Sequence, residues 1–300
     1  MSYGSGNYVY ELVPDWGKLP AGWKWDHASG AAVDDHDNVF LFNRSEHPVI
    51  VFDRQGNFLR SWGEGIFNRP HGVFITPDQF VWGSDDMDHL VRKFDRDGHL
   101  LDTMGTKGKP SDSGYVEKGD LMERLNSIKR GAGPFNRPTK LIIAPWGERY
   151  VSDGYGNARV HRFTASGELI QSWGEPGHGP GEFFLPHGLA IDARERVLVA
   201  DRENSRVQIF SRDGKLLEMW TDLSRAADIA IDRDGVVYIA EAGTKGVCIK
   251  DLDGKVLSRF SALEGGVVRS SHSLCVDSRG DLYVCEIAQG SPTIKKFARK

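Results

Sequence analysis

Three histidines stand in similar surroundings at wide intervals along the chain. His71 lies in RPHGVFIT, His187 in LPHGLAID and His272 in SSHSLCVD, so each stands at the start of a short apolar run. Imidazole is a common ligand of transition metals, and three imidazoles that leave one coordination position open are typical of catalytic zinc sites. If the fold brings them together, the sequence predicts a site for zinc or another divalent transition metal.

These surroundings recur because the chain is built from repeats. Each repeat contains four short strand-like runs, of which VLVAD, RVQIF and, after a DG turn, KLLEMW are examples. Four antiparallel strands per repeat are typical of a propeller blade, which buries its two faces only by stacking against neighbouring blades. The sequence therefore predicts an all-β, six-bladed β-propeller as one domain over residues 1–300, with blades at residues 27–63, 69–105, 137–174, 185–221, 225–261 and 270–300.

The sixth repeat ends at TIKKFARK and lacks the run that would form a fourth strand. The N-terminal NYVYELVPDWG resembles that missing run. We therefore expect residues 7–16 to supply the outer strand of the last blade, which closes the ring and removes an unpaired edge.

The histidines occupy one equivalent repeat position in blades two, four and six, where the other blades carry Ser29, Thr139 and Ala227. The first strand of each propeller blade lines the central axis, so alternate blades would place three imidazoles in a triangle. A histidine here could instead cap the start of a strand by hydrogen bonding. Strict alternation around the ring favours the metal site over this alternative.

The links between second and third strands return to the same end of the channel as the histidines. They contain Arg44 in NRSEHP, Tyr155 in DGYGNAR and Arg202 in DRENSR, and the fifth repeat has EAGTKG at 241–246. The polar segment 106–134 joins two blades at this end and is too long for a simple connection. It is either a lid over the site or a disordered insertion.

The repeats resemble NHL repeats, and VSDGYGNARV, WGEPGHGPGEFFLPHGLAI and VADRENSRVQIF resemble the core of peptidyl-α-hydroxyglycine α-amidating lyases. The resemblance implies a lyase that cleaves the C–N bond of a carbinolamide, an N-acyl-α-hydroxyglycine, to an amide and glyoxylate. It also implies that the three histidines hold zinc, that Tyr155 is the base, and that Arg44 and Arg202 surround the tyrosine and the substrate carboxylate.

The chain departs from that family at several positions. Ser273 stands where an acidic calcium ligand is expected and Ser270 where a methionine is expected, which argues against a structural calcium. Gly156 replaces a disulfide cysteine, which fits a cytoplasmic protein. The substrate is therefore expected to be a small carbinolamide or a ureidoglycolate-like molecule.

Composition excludes some partners. The 38 basic and 42 acidic residues are intermixed, which argues against nucleic acid, and no apolar stretch is long enough for a membrane span. We expect a small-molecule substrate, and the sequence leaves the oligomeric state open. Two alternatives stay open besides the lyase: a metal-dependent hydrolase on the same scaffold and a non-catalytic NHL interaction module.

Overall fold

A computed structural model describes residues 2–244, 246–261, 270–287 and 293–300. Lys245, in the predicted link of the fifth repeat, and residues 288–292 of the predicted sixth repeat lie outside the described residues. The described part of the chain contains 25 β-strands and one short α-helix. The strands form six antiparallel sheets, so the predicted six-bladed β-propeller is confirmed.

The chain begins with two strands that belong to the last blade, β1 (Ser2–Ser5) and β2 (Tyr8–Val13). The first three blades each contain four strands in chain order, and their bounds are β3 (Ala28–Val33), β4 (Val39–Asn43), β5 (Val49–Phe52) and β6 (Phe58–Trp62); β7 (Pro70–Ile75), β8 (Val81–Asp85), β9 (Leu90–Phe94) and β10 (Leu100–Gly105); β11 (Pro138–Ile143), β12 (Arg149–Asp153), β13 (Arg159–Phe163) and β14 (Leu169–Trp173). The helix α1 (Leu121–Asn126) lies between blades 2 and 3 in the chain.

The remaining strands form blades 4 to 6, and their bounds are β15 (Pro186–Ile191), β16 (Val197–Asp201), β17 (Arg206–Phe210) and β18 (Leu216–Trp220); β19 (Ala226–Ile231), β20 (Val237–Glu241), β21 (Gly246–Lys250) and β22 (Val256–Ser261); β23 (Ser271–Val276), β24 (Leu282–Glu286) and β25 (Ile294–Arg299). The first strand of each blade contacts the first strands of both neighbours, so β3, β7, β11, β15, β19 and β23 surround the central channel.

The core lies between the blades. Six clusters of buried apolar side chains each join one blade to the next, as Phe42 of β4 does with Val81 of β8 in the cluster between blades 1 and 2. The second strands are buried along their whole length because both of their faces are covered by neighbouring blades. Stacking in a closed ring is thus what buries each repeat.

The ring closes as the sequence predicts. β2 pairs with β25 in antiparallel register, and Tyr10 of β2 is fully buried against blades 5 and 6. β1 pairs in turn with β2 and gives this blade a fifth strand, which the sequence analysis did not predict. The side chain of Tyr3 on β1 packs against Phe260 and Phe297, so the added strand also buries apolar area.

The segment 106–134 packs against the ring of blades. Its helix α1 begins with a capping box in which Asp120 and Glu123 bind each other's backbone N–H groups. Leu125 and Ile128 pack on Tyr155 and Leu185, so the segment covers one end of the channel. No helix in the described ranges is both long and apolar enough to cross a membrane.

Candidate functional site

The three histidines meet inside the channel. Each is the second residue of the first strand of its blade, and each is buried. The ring centroid of His71 lies 4.7 Å from that of His187 and 5.0 Å from that of His272, and the His187 and His272 centroids are 4.7 Å apart. One nitrogen from each ring can be chosen so that all three lie within 4.8 Å of one another. The predicted triangle is therefore present.

Each histidine uses one ring nitrogen to bind the next blade. The Nδ1–H groups donate to backbone carbonyls at the equivalent position of the following blade, and the pairs are His71 with Thr139 at 2.7 Å, His187 with Ala227 at 2.6 Å and His272 with Ser29 at 2.9 Å. Burial, followed by nearby positive or imidazole groups, holds the pKa of all three rings well below the usual value. Each neutral ring therefore carries its lone pair on Nε2.

Buried carboxylates fix the backbone just before the histidines. Asp85, the last residue of β8, accepts hydrogen bonds from the backbone N–H groups of Asn68 at 2.7 Å and Arg69 at 3.1 Å. In blade 4, Asp201 at the end of β16 accepts from Phe184 at 2.8 Å. The acidic residue at the end of the second strand thus fixes the backbone just before the first strand of the same blade. This contact positions the channel residue that follows on the first strand.

Tyr155 lies directly above the histidines in the link between β12 and β13. Its Oη is 3.2 Å from Nε2 of both His71 and His187, and Nη1 of Arg202 donates to it at 3.4 Å. The ring is buried, and Leu125 of α1 packs against it. The phenol oxygen is therefore held within reach of any group bound by the imidazoles.

The two arginines named from the sequence lie in the same cavity as Tyr155 but differ in their partners. Arg202 donates from Nε to Glu203 at 2.8 Å, so the ion pair in the DREN turn coexists with its contact to Tyr155. Arg44 donates from Nε to the Pro70 carbonyl at 3.4 Å, while its Nη2 is buried without a hydrogen-bond partner among the described residues. Burial, and then the nearby charge of Arg69, lowers the pKa of Arg44.

Sequence reasoning missed several residues of this cavity, which has a volume of about 230 Å³. Arg69, Arg137 and Arg225 stand two residues before the channel position of their blades, so the repeat alignment contained a signal for them. Tyr115 and Arg124 come from the segment 106–134, where nothing in the repeat pattern indicated a role. The cavity wall is thus formed by blade starts, strand links and the segment around α1.

On the opposite side of the histidines, the channel is closed by an ion pair. The Lys140 ammonium donates to Asp228 Oδ1 at 2.6 Å, and Ser273 Oγ donates to Asp228 Oδ2 at 2.6 Å. These residues and the histidines surround a space of only about 10 Å³. That space is about the size of one water molecule, so a larger molecule can reach the histidines only through the cavity on the Tyr155 side.

Fold and site together define an NHL-repeat propeller with a histidine cluster in its channel. The NHL repeat family model matches residues 185–210, which include His187 and Arg202. NHL repeat-containing protein 3 of Mus musculus is 30% identical over 317 residues, covering 93% of this chain and 83% of that protein. The chain belongs to the family of NHL repeat-containing proteins.

Two further similarities concern lyases. The probable peptidyl-alpha-hydroxyglycine alpha-amidating lyase of Caenorhabditis elegans is 26% identical over 283 residues, covering 88% of this chain and 73% of that protein. A solved streptogramin B lyase structure has a TM-score of 0.67 at 11% identity, covering 99% of this chain and 98% of that chain. The first similarity suggests a lyase, and the second shows the fold alone.

Proposed function

We propose that the protein is a metal-dependent lyase that cleaves the C–N bond of a carbinolamide, an N-acyl-α-hydroxyglycine or a ureidoglycolate-like molecule, and releases an amide and glyoxylate or a related carbonyl compound. The observation that carries the proposal is the position of Tyr155 Oη, 3.2 Å from Nε2 of two channel histidines. The similarity to a protein named as an amidating lyase supports the same reaction class.

The donor set fits zinc or another divalent transition metal. His71, His187 and His272 are neutral, and each donates its Nδ1–H to a backbone carbonyl, which is the outer contact that metal-binding histidines usually make. Bound to these imidazoles, the ion would act as a Lewis acid toward the substrate oxygens. We propose no calcium ion beside the histidines. The adjacent carboxylate that could hold one, Asp228, already accepts hydrogen bonds on both oxygens, from Lys140 and Ser273.

Tyr155 accepts the proton of the substrate hydroxyl in this mechanism. The O–H electron pair then forms the carbonyl, the C–N bond breaks, and its electron pair goes to the amide nitrogen, which takes the proton back from Tyr155. Arg202 donates to Tyr155 Oη and counters negative charge on it. The buried Nη2 of Arg44 lacks a protein partner among the described residues, and it is available to the substrate carboxylate.

The proposal is tested with metal-loaded protein and N-acyl-α-hydroxyglycines from acetyl to succinyl. We expect glyoxylate and the matching amide in equal amounts, and we expect a chelator to stop the reaction until metal is restored. If the loaded protein cleaves none of these compounds but hydrolyses esters or lactones, the hydrolase alternative replaces the lyase. If it transforms none of the compounds, the protein is better described as an interaction module.

A further inference from the structure

The cavity above the histidines has a cationic wall. Among the described residues that line it, six are arginines and none is an aspartate or glutamate. Blades 1 to 5 each contribute one, and the sixth comes from α1; the set is Arg44, Arg69, Arg137, Arg202, Arg225 and Arg124. In a protein with a formal net charge of −4, this concentration of positive charge requires an explanation.

Carboxylates paired with these arginines neutralise only part of this charge. Three of them are each shared by two arginines: Asp86 by Arg69 at 3.0 Å and Arg137 at 2.8 Å, Glu117 by Arg137 at 3.1 Å and Arg124 at 3.9 Å, and Glu203 by Arg202 at 2.8 Å and Arg225 at 2.7 Å. Among the described residues, six guanidinium groups against these three carboxylates leave three positive charges in excess. Arg44 forms none of these ion pairs.

One substrate carboxylate does not balance this excess. Arg44 and Arg202 are sufficient for the carboxylate next to the reacting carbon, because a single carboxylate is bound well by one or two guanidinium groups. Three further arginines remain partly exposed, with 33% of the side chain accessible for Arg69, 28% for Arg124 and 44% for Arg225. Arg69 lies over the Tyr155 ring, 5.8 Å from its centroid, so we call only Arg124 and Arg225 the rim arginines.

The size of the cavity limits what the rim arginines can bind. Its volume of about 230 Å³ lies below the range of roughly 300–1,000 Å³ that is usual for drug-sized ligands. Leu121 and Arg124 of α1 line one side, so the segment 106–134 closes space that an extended peptide would need. The ligand that fits both the size and the charge is small and carries more than one negative charge.

Building on the proposed lyase function, we propose that the substrate is a small dianion: a carbinolamide whose acyl half ends in a second carboxylate, which the rim arginines bind. The reacting half lies at Tyr155 and the histidines, and the second carboxylate lies toward Arg124 and Arg225. The rim arginines then determine specificity, because a neutral acyl chain leaves their charges without a counterion.

Binding is measured with two unreactive analogues that lack the hydroxyl group. N-Succinylglycine has two carboxylates, and N-succinamoylglycine has nearly the same shape with one carboxylate replaced by an amide. We expect calorimetry on the metal-loaded protein to show at least about tenfold tighter binding of the dianion. Arg225→Gln and Arg124→Gln should each reduce this preference. Arg194→Gln, which removes the same charge from a surface pair with Asp253, should not.

Turnover separates this inference from the lyase proposal. The ratio of kcat/KM for N-succinyl- and N-succinamoyl-α-hydroxyglycine should favour the dianion by a similar factor. Equal binding of the two analogues overturns the inference even if both substrates are cleaved. A preference that survives both rim substitutions overturns the assignment to these arginines. Preferred binding of the dianion without cleavage of either substrate supports the anion site and contradicts the lyase.

Discussion

The two ring nitrogens of each channel histidine face different surroundings: Nδ1 faces the next blade, and Nε2 faces the centre of the channel. Nδ1 of His187 binds the Ala227 carbonyl of the next blade, which leaves Nε2 for the centre of the channel. An imidazole carries its N–H donor and its lone-pair nitrogen on different sides of one rigid ring, so it can bind the neighbouring carbonyl and present a lone pair to the centre at the same time. These contacts explain why a histidine suits this position on alternate blades.

The phenol oxygen of Tyr155 is the group that the proposed reaction needs most directly. Tyr155→Phe removes this oxygen and retains the ring that packs on Leu125 and Leu185. We expect kcat for the preferred carbinolamide to fall by about 10²-fold or more, while the melting temperature and the metal content stay unchanged. Steady-state glyoxylate release provides the measurement.

Tyr150→Phe is the matched control for this substitution. Tyr150 is buried on β12, the strand before the link that carries Tyr155, and its hydroxyl donates to Glu148 at 3.0 Å, away from the histidines. The control should keep the wild-type kcat. Wild-type turnover by Tyr155→Phe would show that another group takes the proton.

The sequence could place the three histidines and Tyr155 at one end of the channel because repeats convert linear spacing into angular position. His71, His187 and His272 share one repeat position, and the strand links put Tyr155 at the same end. The sequence did not predict a place for Arg69 in the site, because this residue stands two positions before the channel position, in a loop where an arginine is common. Its role becomes visible only when the cavity brings it beside arginines of other blades.

At the scale of secondary-structure elements, β2 completes the last blade and β1 adds to it. Removing residues 2–13 takes away the partner of β25 and the buried side chain of Tyr10. We expect the melting temperature to fall by about 10 °C, because loss of a large buried side chain costs about 3–5 kcal/mol and the edge of β25 becomes unpaired. Differential scanning calorimetry measures the change.

A shorter deletion controls for the loss of the chain terminus itself. Removing residues 2–5 takes away β1 and leaves a last blade of four strands, like the other five blades. This deletion should lower the melting temperature by a smaller amount. If the two deletions have equal effects, pairing of β2 with β25 is not what closes the ring.

The helix α1 should govern access to Tyr155. Leu125→Ala removes the buried side chain that attaches α1 to Tyr155 and Leu185, so we expect faster proteolysis within 106–134 and a severalfold lower kcat/KM. Met122→Ala truncates an exposed side chain on the same helix and should change neither quantity. Equal protease resistance of the two variants would mean that Leu125 does not hold the segment in place.

Two elements show the limits of sequence reasoning. β1 (SYGS) contains a glycine and no apolar alternation, so its strand structure comes from pairing with β2 and from the packing of Tyr3. For 106–134 the sequence left a lid and a disordered insertion as alternatives. The capping pair Asp120 and Glu123 was a usable signal for the start of a helix. The contact of that helix with Tyr155 depends on tertiary packing and could not be read from the sequence.

At the scale of the whole molecule, the closed ring makes the site. Each blade supplies one channel residue, and the histidines alternate with Ser29, Thr139 and Ala227, whose carbonyls accept the imidazole hydrogens. Each of these hydrogen bonds between an imidazole and a carbonyl therefore crosses a boundary between blades. A molecule whose ring is open cannot hold the three imidazoles at these distances, which couples the site to complete folding.

The central claim is that the channel histidines hold a metal ion on which C–N cleavage depends. It is tested most directly by measuring metal per chain and glyoxylate release in the same preparations of wild type, His187→Gln and His161→Gln. His161 is a buried histidine outside the channel that binds Asp153 at 3.3 Å, and Gln208 makes the same contact with Asp201 at 3.3 Å in blade 4.

We expect about one transition-metal ion per chain in wild type and in His161→Gln, because glutamine already serves at that position in a neighbouring blade. In His187→Gln, metal and glyoxylate release should both fall by at least about tenfold, since one imidazole ligand is lost while the fold is retained. Wild-type metal content and activity in His187→Gln, or full activity in a metal-free wild-type preparation, would contradict the account.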